Sequence, residues 1–181
     1  MINIIELIIK FVFLFFLIFL LIIPVIIISL MIKLESEGPS IHWSKRVGKK
    51  NKIFYMPKFR TMKLNTPNLA THLLENRDDF VTKVGKFLRK TSLDEIPQIY
   101  SILVGNMNFI GPRPALYNQK DLINLRKKFG IDQFKPGITG WAQVNGRDKL
   151  SIDEKVKLEK EYNEINSFKI KLNILYKSMI A

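Results

Sequence analysis

The sequence predicts a mixed α/β, helix-rich fold: an N-terminal membrane helix followed by a small cytoplasmic domain that ends in an amphipathic interfacial helix. Three observations predict it. Phe11 to Ile32 is an apolar run without a charge. Behind it, one aromatic-rich extended segment stands among several segments whose apolar residues recur at helical spacing. Glycine and proline punctuate the joins between them.

The apolar run comes first. As one straight helix it measures roughly 33 Å, against a hydrocarbon core of about 30 Å. It is too long for a secretory signal and no small-residue cleavage site follows. A soluble core helix would carry polar residues on some face, so the segment belongs in a membrane. Pro24 lies inside it and removes a helical hydrogen bond. A kinked spanning helix and a helix that breaks at Pro24 and returns to the same face both fit. The chain after Lys33 is dense in Lys and Arg, which places it in the cytoplasm by the positive-inside rule. Two domains are therefore expected, residues 1–34 as the anchor and residues 35–181 as the cytoplasmic part.

Gly38-Pro39 reads as a turn and Ser44 to Lys52 as a basic loop. Ile53 to Lys63 reads as a strand, with Pro57 pointing to an edge or a break. Asn65 to Asn68 is a loop. Phe80, Val84, Phe87 and Leu88 predict one helix over Asp78 to Lys90, and Ile96 to Leu103 a second short one. Gly105 to Pro114 is a loop, Leu116 to Phe129 an amphipathic helix, and Asp153 to Asn163 a charged helix. Asn145-Gly146 predicts a hairpin turn within Lys135 to Arg147. From Ser167 on, Phe168, Leu172, Leu175 and Met179 share one helical face, yet Phe168 to Ile174 also alternates strictly as a strand does; the interleaved lysines and the nearby membrane favour an interfacial amphipathic helix.

Lys and Arg number 29 against 16 Asp and Glu, a net charge of +13. Such an excess predicts anionic partners, and a membrane anchor favours acidic lipid and phosphorylated ligands over nucleic acid. A recognition helix or stacking platform for nucleic acid is not legible either. With no cysteine, disulfides, Cys-ligated zinc and thiol nucleophiles are excluded. The sequence also contains no GxGxxG, Walker loop, HExxH or GxSxG. His42 and His72 lack metal-ligand spacing.

What remains is acid among fixed cations. Ser92-Leu93-Asp94-Glu95 has the capping-box pattern, so its plainest meaning is a helix start. The same geometry keeps a carboxylate ionised in a positive field, as a nucleophile requires. Two adjacent carboxylates can also share Mg2+ with a phosphate. Lys58 and Arg60, two apart in an extended segment, fall on one face about 7 Å apart and could grip a diphosphate, or simply face solvent. Arg89-Lys90 adds charge just before the acids. In Gly111-Pro112-Arg113-Pro114 the prolines hold Arg113 extended, which lowers the entropy cost of binding an anion. Gly137, Gly140 and Gly146 near Trp141 and Arg147 belong to a plain hairpin or admit a nucleotide close to the backbone. Together these residues suit metal-assisted phosphoryl transfer at a membrane.

Lys58-Phe59-Arg60-Thr61-Met62, Ser92-Leu93-Asp94-Glu95, Gly111-Pro112-Arg113-Pro114 and Lys135 to Arg147, in that order and spacing, resemble the bacterial sugar transferases, the small monotopic phosphoglycosyl transferases. The likeness runs from the anchor with Pro24 to the tail. It implies a re-entrant N-terminal helix on a mixed α/β fold at the cytoplasmic face of a bacterial inner membrane. It implies that Asp94 attacks the β-phosphate of a UDP-sugar, expected to be an N-acetylhexosamine derivative, and that UMP leaves. Undecaprenyl phosphate would then take the sugar phosphate, opening a glycoconjugate pathway among the inner-membrane lipids. Glu95, with Asp94, would hold Mg2+. Lys58, Arg60, Arg89, Arg113 and Arg147 would ligate phosphates or nucleotide. One departure is Ile23, where relatives often carry Ser before the proline. The competing expectation is a catalytically silent scaffold for polyprenyl or acidic lipid, which has no need to retain both carboxylates.

Overall fold

A computed structural model describes residues 22–64, 66, 77–146, 149–165 and 167–180. The fold is mixed α/β and helix-rich, as the spacing patterns predict. Its residues gather into two compact units, Met1–His42 with Phe59–Pro97, and Trp43–Lys58 with Gln98–Ala181.

In the first unit, residues 22–35 form a helix (α1). Its inner face, Val25, Ile28 and Ile32, packs on Phe59, Val84, Leu88, Leu93 and Ile96. Its outer face leaves Ile22, Ile23, Ile26, Ile27, Leu30, Met31 and Leu34 exposed. Pro24 lies near the start of the described helix; the turn before it, where the expected break would sit, is outside the described residues. Among the described residues no helix is long and apolar enough to cross a membrane.

The helix expected over Asp78 to Lys90 is two helices, α2 (Arg77–Phe80) and α3 (Lys83–Thr91). The division falls at Val81, which bridges to Met62, and at Thr82, whose hydroxyl takes the Gly85 N–H at 2.9 Å as an N-cap. A capping threonine with an extended backbone starts a helix rather than continuing one. Gly85 then lets α3 lie against the chain, since a Cβ there would sit 2.1 Å from the Thr61 carbonyl oxygen.

The second unit carries β1 (Ile41–Val47) from Trp43 on and β2 (Ile53–Phe59) up to Lys58, joined by a 3-10 turn at Lys49–Asn51. The sheet order is β2-β1-β4, so β2 is an edge strand and tolerates Pro57, as the sequence implies. The basic loop expected from Ser44 begins later, because Ser44 to Val47 belong to β1; Arg46 and Val47 pair antiparallel with Leu116 and Ala115 of β4 (Ala115–Leu116). The segment from Ile96 to Leu103 winds first as 3-10 (Leu93–Gln98), then as α4 (Ile99–Leu103). β3 (Asn108–Ile110) precedes β4, and α5 (Lys120–Lys128), β5 (Gly137–Thr139), α6 (Trp141–Val144), α7 (Ile152–Ile165) and α8 (Phe168–Ile180) follow it.

The expected hairpin at Asn145-Gly146 does not form. β5 runs parallel to β3, and the chain turns into α6 directly after it. Three small cores support this unit. Ala115, Leu122, Ile131 and Val156 form one, Phe54, Met56 and Met107 a second, and Tyr162, Ile170 and Ile174 a third. The tail is the helix α8, with Ile170 and Ile174 buried while Phe168, Leu172, Leu175, Tyr176 and Met179 stay exposed.

Candidate active site

The acidic pair occupies a defined place in the first unit. α3 ends on Arg89 and Lys90, and Ser92 closes it in a left-handed conformation (φ 57°). That conformation rules out the capping box read from Ser-x-x-Glu, since an N-cap residue is extended. The Ser92 carbonyl instead accepts the Glu95 N–H at 3.1 Å and opens the 3-10 helix. Asp94 and Glu95 sit in its first turn, Asp94 only 9% exposed and Glu95 half-buried. Leu93 and Ile96 on either side of them pack on α1, so the pair rides on an apolar support.

The expected cations divide between the units. Arg89 is half-buried on α3, and its Nε donates to Thr61 Oγ1 at 2.9 Å. Arg60 follows β2 and is 6% exposed. Its Nη2 donates to the Ser36 carbonyl at 2.8 Å and to Ser36 Oγ at 3.0 Å, and its Nη1 donates to the Glu37 carbonyl. These bonds fasten the two residues that follow α1, whose own end is held by the Ser36 N–H on the Ile32 carbonyl at 3.1 Å. Lys58, expected beside Arg60, is half-buried within β2 in the second unit.

Arg113 is also in the second unit, half-buried between the buried Pro112 and Pro114. Its loop is fixed from several sides. The Gly111 N–H donates to the Thr139 carbonyl and the Gly137 N–H to the Pro112 carbonyl, each at 2.9 Å, while Arg46 Nη1 donates to the Pro114 carbonyl at 3.1 Å. A Cβ on Gly137 would lie 2.1 Å from the Gly111 nitrogen, and one on Gly140 2.1 Å from the Gly111 oxygen. Gly137 and Gly140 therefore admit the close approach of the Arg113 loop. Arg147 lies outside the described residues.

Asp94 and Glu95 are adjacent carboxylates, and no group of three or more His, Asp or Glu side chains able to hold a metal occurs among the described residues. Such a donor pair fits Mg2+, which binds through one or two carboxylates and completes its shell with water and phosphate oxygens. Sequence reasoning missed Thr61 and Arg46 as supports for Arg89 and for the Arg113 loop. Arg46 reads in sequence only as one charge of a basic loop and Thr61 only as part of the Lys58 to Met62 motif; tertiary contact alone reveals what they hold.

Known proteins match along the chain. The bacterial sugar transferase family matches residues 1–181. A protein of Aeromonas hydrophila, UDP-N-acetylgalactosamine-undecaprenyl-phosphate N-acetylgalactosaminephosphotransferase, is 37% identical over 150 residues, 81% of this chain and 36% of that one. UDP-glucose:undecaprenyl-phosphate glucose-1-phosphate transferase of Escherichia coli K12 is 42% identical over 140 residues, 75% of this chain and 30% of that one. The sugar transferase EpsL of Bacillus subtilis 168 is 37% identical over 145 residues, 80% of this chain and 70% of that one. The chain thus spans about a third of the length of the first two relatives. A match along the whole chain, with the acidic turn, the Arg113 loop and the basic extended segment in one order, makes this protein a member of the bacterial sugar transferase family.

Proposed function

We propose that this chain transfers a sugar-1-phosphate from a UDP-sugar to undecaprenyl phosphate at the cytoplasmic face of a bacterial inner membrane. A carboxylate oxygen of Asp94 attacks the β-phosphorus, the bond to the bridging oxygen of the α-phosphate breaks, and UMP leaves. The sugar phosphate then sits on Asp94 as an acyl phosphate. An oxygen of undecaprenyl phosphate attacks the same phosphorus, the bond to Asp94 breaks, and the lipid diphosphate sugar departs with the carboxylate restored. Asp94 and Glu95 would hold Mg2+, which when bound would neutralise charge at the phosphates. Arg89, Arg113, Lys58, Arg60 and Arg147 are the candidate phosphate and nucleotide ligands. Arg60 already donates three hydrogen bonds to Ser36 and Glu37, just past the end of α1.

The observation that carries this reading is the acidic turn: a nearly buried Asp beside a Glu, directly after a helix whose last turn is Arg89 and Lys90, on a support of apolar side chains. The activities for which the Aeromonas and Escherichia relatives are named support the reaction class. The uncharged run from Phe11 to Ile32 and the exposed apolar faces of α1 and α8 support residues 1–34 as a membrane anchor, re-entrant by the family resemblance, and α8 as an interfacial helix. The sugar is proposed to be an N-acetylhexosamine derivative.

The test is purified full chain in lipid vesicles with undecaprenyl phosphate, Mg2+ and a panel of UDP-sugars. UMP release that requires the metal is expected. Without acceptor, an intact-mass adduct of one sugar phosphate should map to the Asp94 peptide and vanish in Asp94→Asn. Release of UDP, or an adduct that persists in Asp94→Asn, refutes the mechanism. Lipid binding without nucleotide release would favour the silent scaffold.

A further inference from the structure

Glu35 lies at the C-terminal end of α1, where a carboxylate faces the negative end of its own helix dipole. Its two oxygens reach across to a different helix. One accepts the Lys83 N–H at 2.6 Å and the other the Val84 N–H at 2.9 Å. With the Thr82 hydroxyl on the Gly85 N–H, three of the free donors at the start of α3 are satisfied. The carboxylate that is misplaced on α1 is well placed on α3.

Two more fastenings act in the same unit. Arg60 fastens Ser36 and Glu37 just past the end of α1, and Ile28 and Ile32 of α1 pack in one core with Leu88, Leu93 and Ile96. Gly85 leaves α3 no room to slide past Thr61. Asp94 follows two residues after the cap that ends α3. The apolar helix and the nucleophile's turn are therefore linked through a short, rigid path with Glu35 at its start.

We propose that Glu35 is a positioning residue that sets the height of Asp94 above the lipid surface, and so governs the transfer to the lipid acceptor rather than the attack on the UDP-sugar. The inference rests on the function proposed above. A UDP-sugar diffuses in water and can follow a nucleophile that has shifted. The phosphate of a polyprenyl acceptor is confined near the headgroup plane and cannot. A small displacement of α3 against α1 thus penalises one step and spares the other.

The experiment uses the full chain in vesicles with Glu35→Gln, which keeps one acceptor oxygen, and Glu35→Asp, which keeps both but shortens the link by about 1.5 Å. UMP formed from UDP-sugar without acceptor should stay within about twofold of the parent in both variants. Transfer to undecaprenyl phosphate should fall roughly tenfold or more, chiefly as a raised KM for the lipid. Parallel loss in the two half-reactions, no loss in either, or loss of the cooperative melting transition in both variants overturns the proposal. A parent chain that forms no UMP fails before this comparison and refutes the activity itself.

Discussion

Arg126 of α5 and Glu159 of α7 form an ion pair in the interior of the second unit, with side chains only 10% and 4% exposed. Arg126 Nε donates to Glu159 Oε2 at 2.8 Å, and Nη2 donates to Oε1. Burial pushes the Glu159 carboxyl above its ordinary value of 4.5, while Arg126 and, more weakly, Lys155 pull it back. Removing one partner strands the other charge, so Arg126→Ala should cost about 3–5 kcal/mol in denaturant unfolding. The sign of the pH effect follows from the raised value. The stability Glu159 contributes is complete below pH 4.5 and is lost as pH rises through its higher native value. The unfolding free energy of the parent minus that of Glu159→Gln should therefore fall as pH is raised from 4.5. A flat or rising difference would contradict the assignment. Among the catalytic candidates, Arg89→Ala and Arg113→Ala should each lower turnover about 30- to 1,000-fold with the fold intact. Parent-like rates in both would make them surface charges.

Element starts and stops show what local pattern can and cannot fix. Ser151 and Glu154 form the capping box that Ser92 and Glu95 do not: Glu154 Oε2 accepts the Ser151 N–H at 2.8 Å, and Ser151 Oγ accepts the Glu154 N–H at 3.3 Å. The four-residue pattern is identical, yet Ser92 is consumed in ending α3. The hydrogen bonds from Ser151 hold the Glu154 carboxyl below its ordinary range. α3 supplies a sharper test. Propensity alone favours Ala over Gly within a helix by about 1 kcal/mol. At Gly85 a methyl group would meet the Thr61 backbone 2.1 Å away, and backbone cannot swing aside. Gly85→Ala should therefore destabilise, by about 1–3 kcal/mol in chemical unfolding. A gain in stability would show that α3 does not press on the strand end.

Across the whole molecule, apolar surface remains uncovered in each unit. In the first it is the outer face of α1. In the second it is α8, where Phe168 is 75% and Met179 87% exposed while Ile170 and Ile174 on the opposite side are buried. Contiguous apolar surface beside lysines suits an acidic bilayer surface. With residues 1–34 holding the chain on anionic vesicles, Leu172→Glu with Met179→Glu should remove the protection that those vesicles give the α8 backbone amides against hydrogen exchange, and should leave the melting temperature unchanged, since neither side chain enters a core. Protection unchanged by the two substitutions would show that α8 faces water.

The sequence by itself determined the elements with strong periodicity and the chemistry with fixed residue types. The face shared by Phe168, Leu172, Leu175 and Met179 was legible because helical geometry alone groups those positions. Asp94 with Glu95, and Arg113 between two prolines, were legible because charge and backbone restriction are local properties. Tertiary structure decided what the partners are. The division of the helix at Thr82 depends on Val81 pairing with Met62. Gly137 and Gly140 serve a close approach to Gly111 because β5 lies parallel to β3, a pairing between residues far apart in the chain. Arg60 reads in sequence as a diphosphate ligand or a solvent-facing charge, and nothing in the pattern singles out Glu35; both fasten helix ends only when α1, α3 and the end of β2 meet. Whether a polar group binds a ligand or another segment is set by which unsatisfied donors and acceptors folding brings beside it, and no pattern along one segment contains that information.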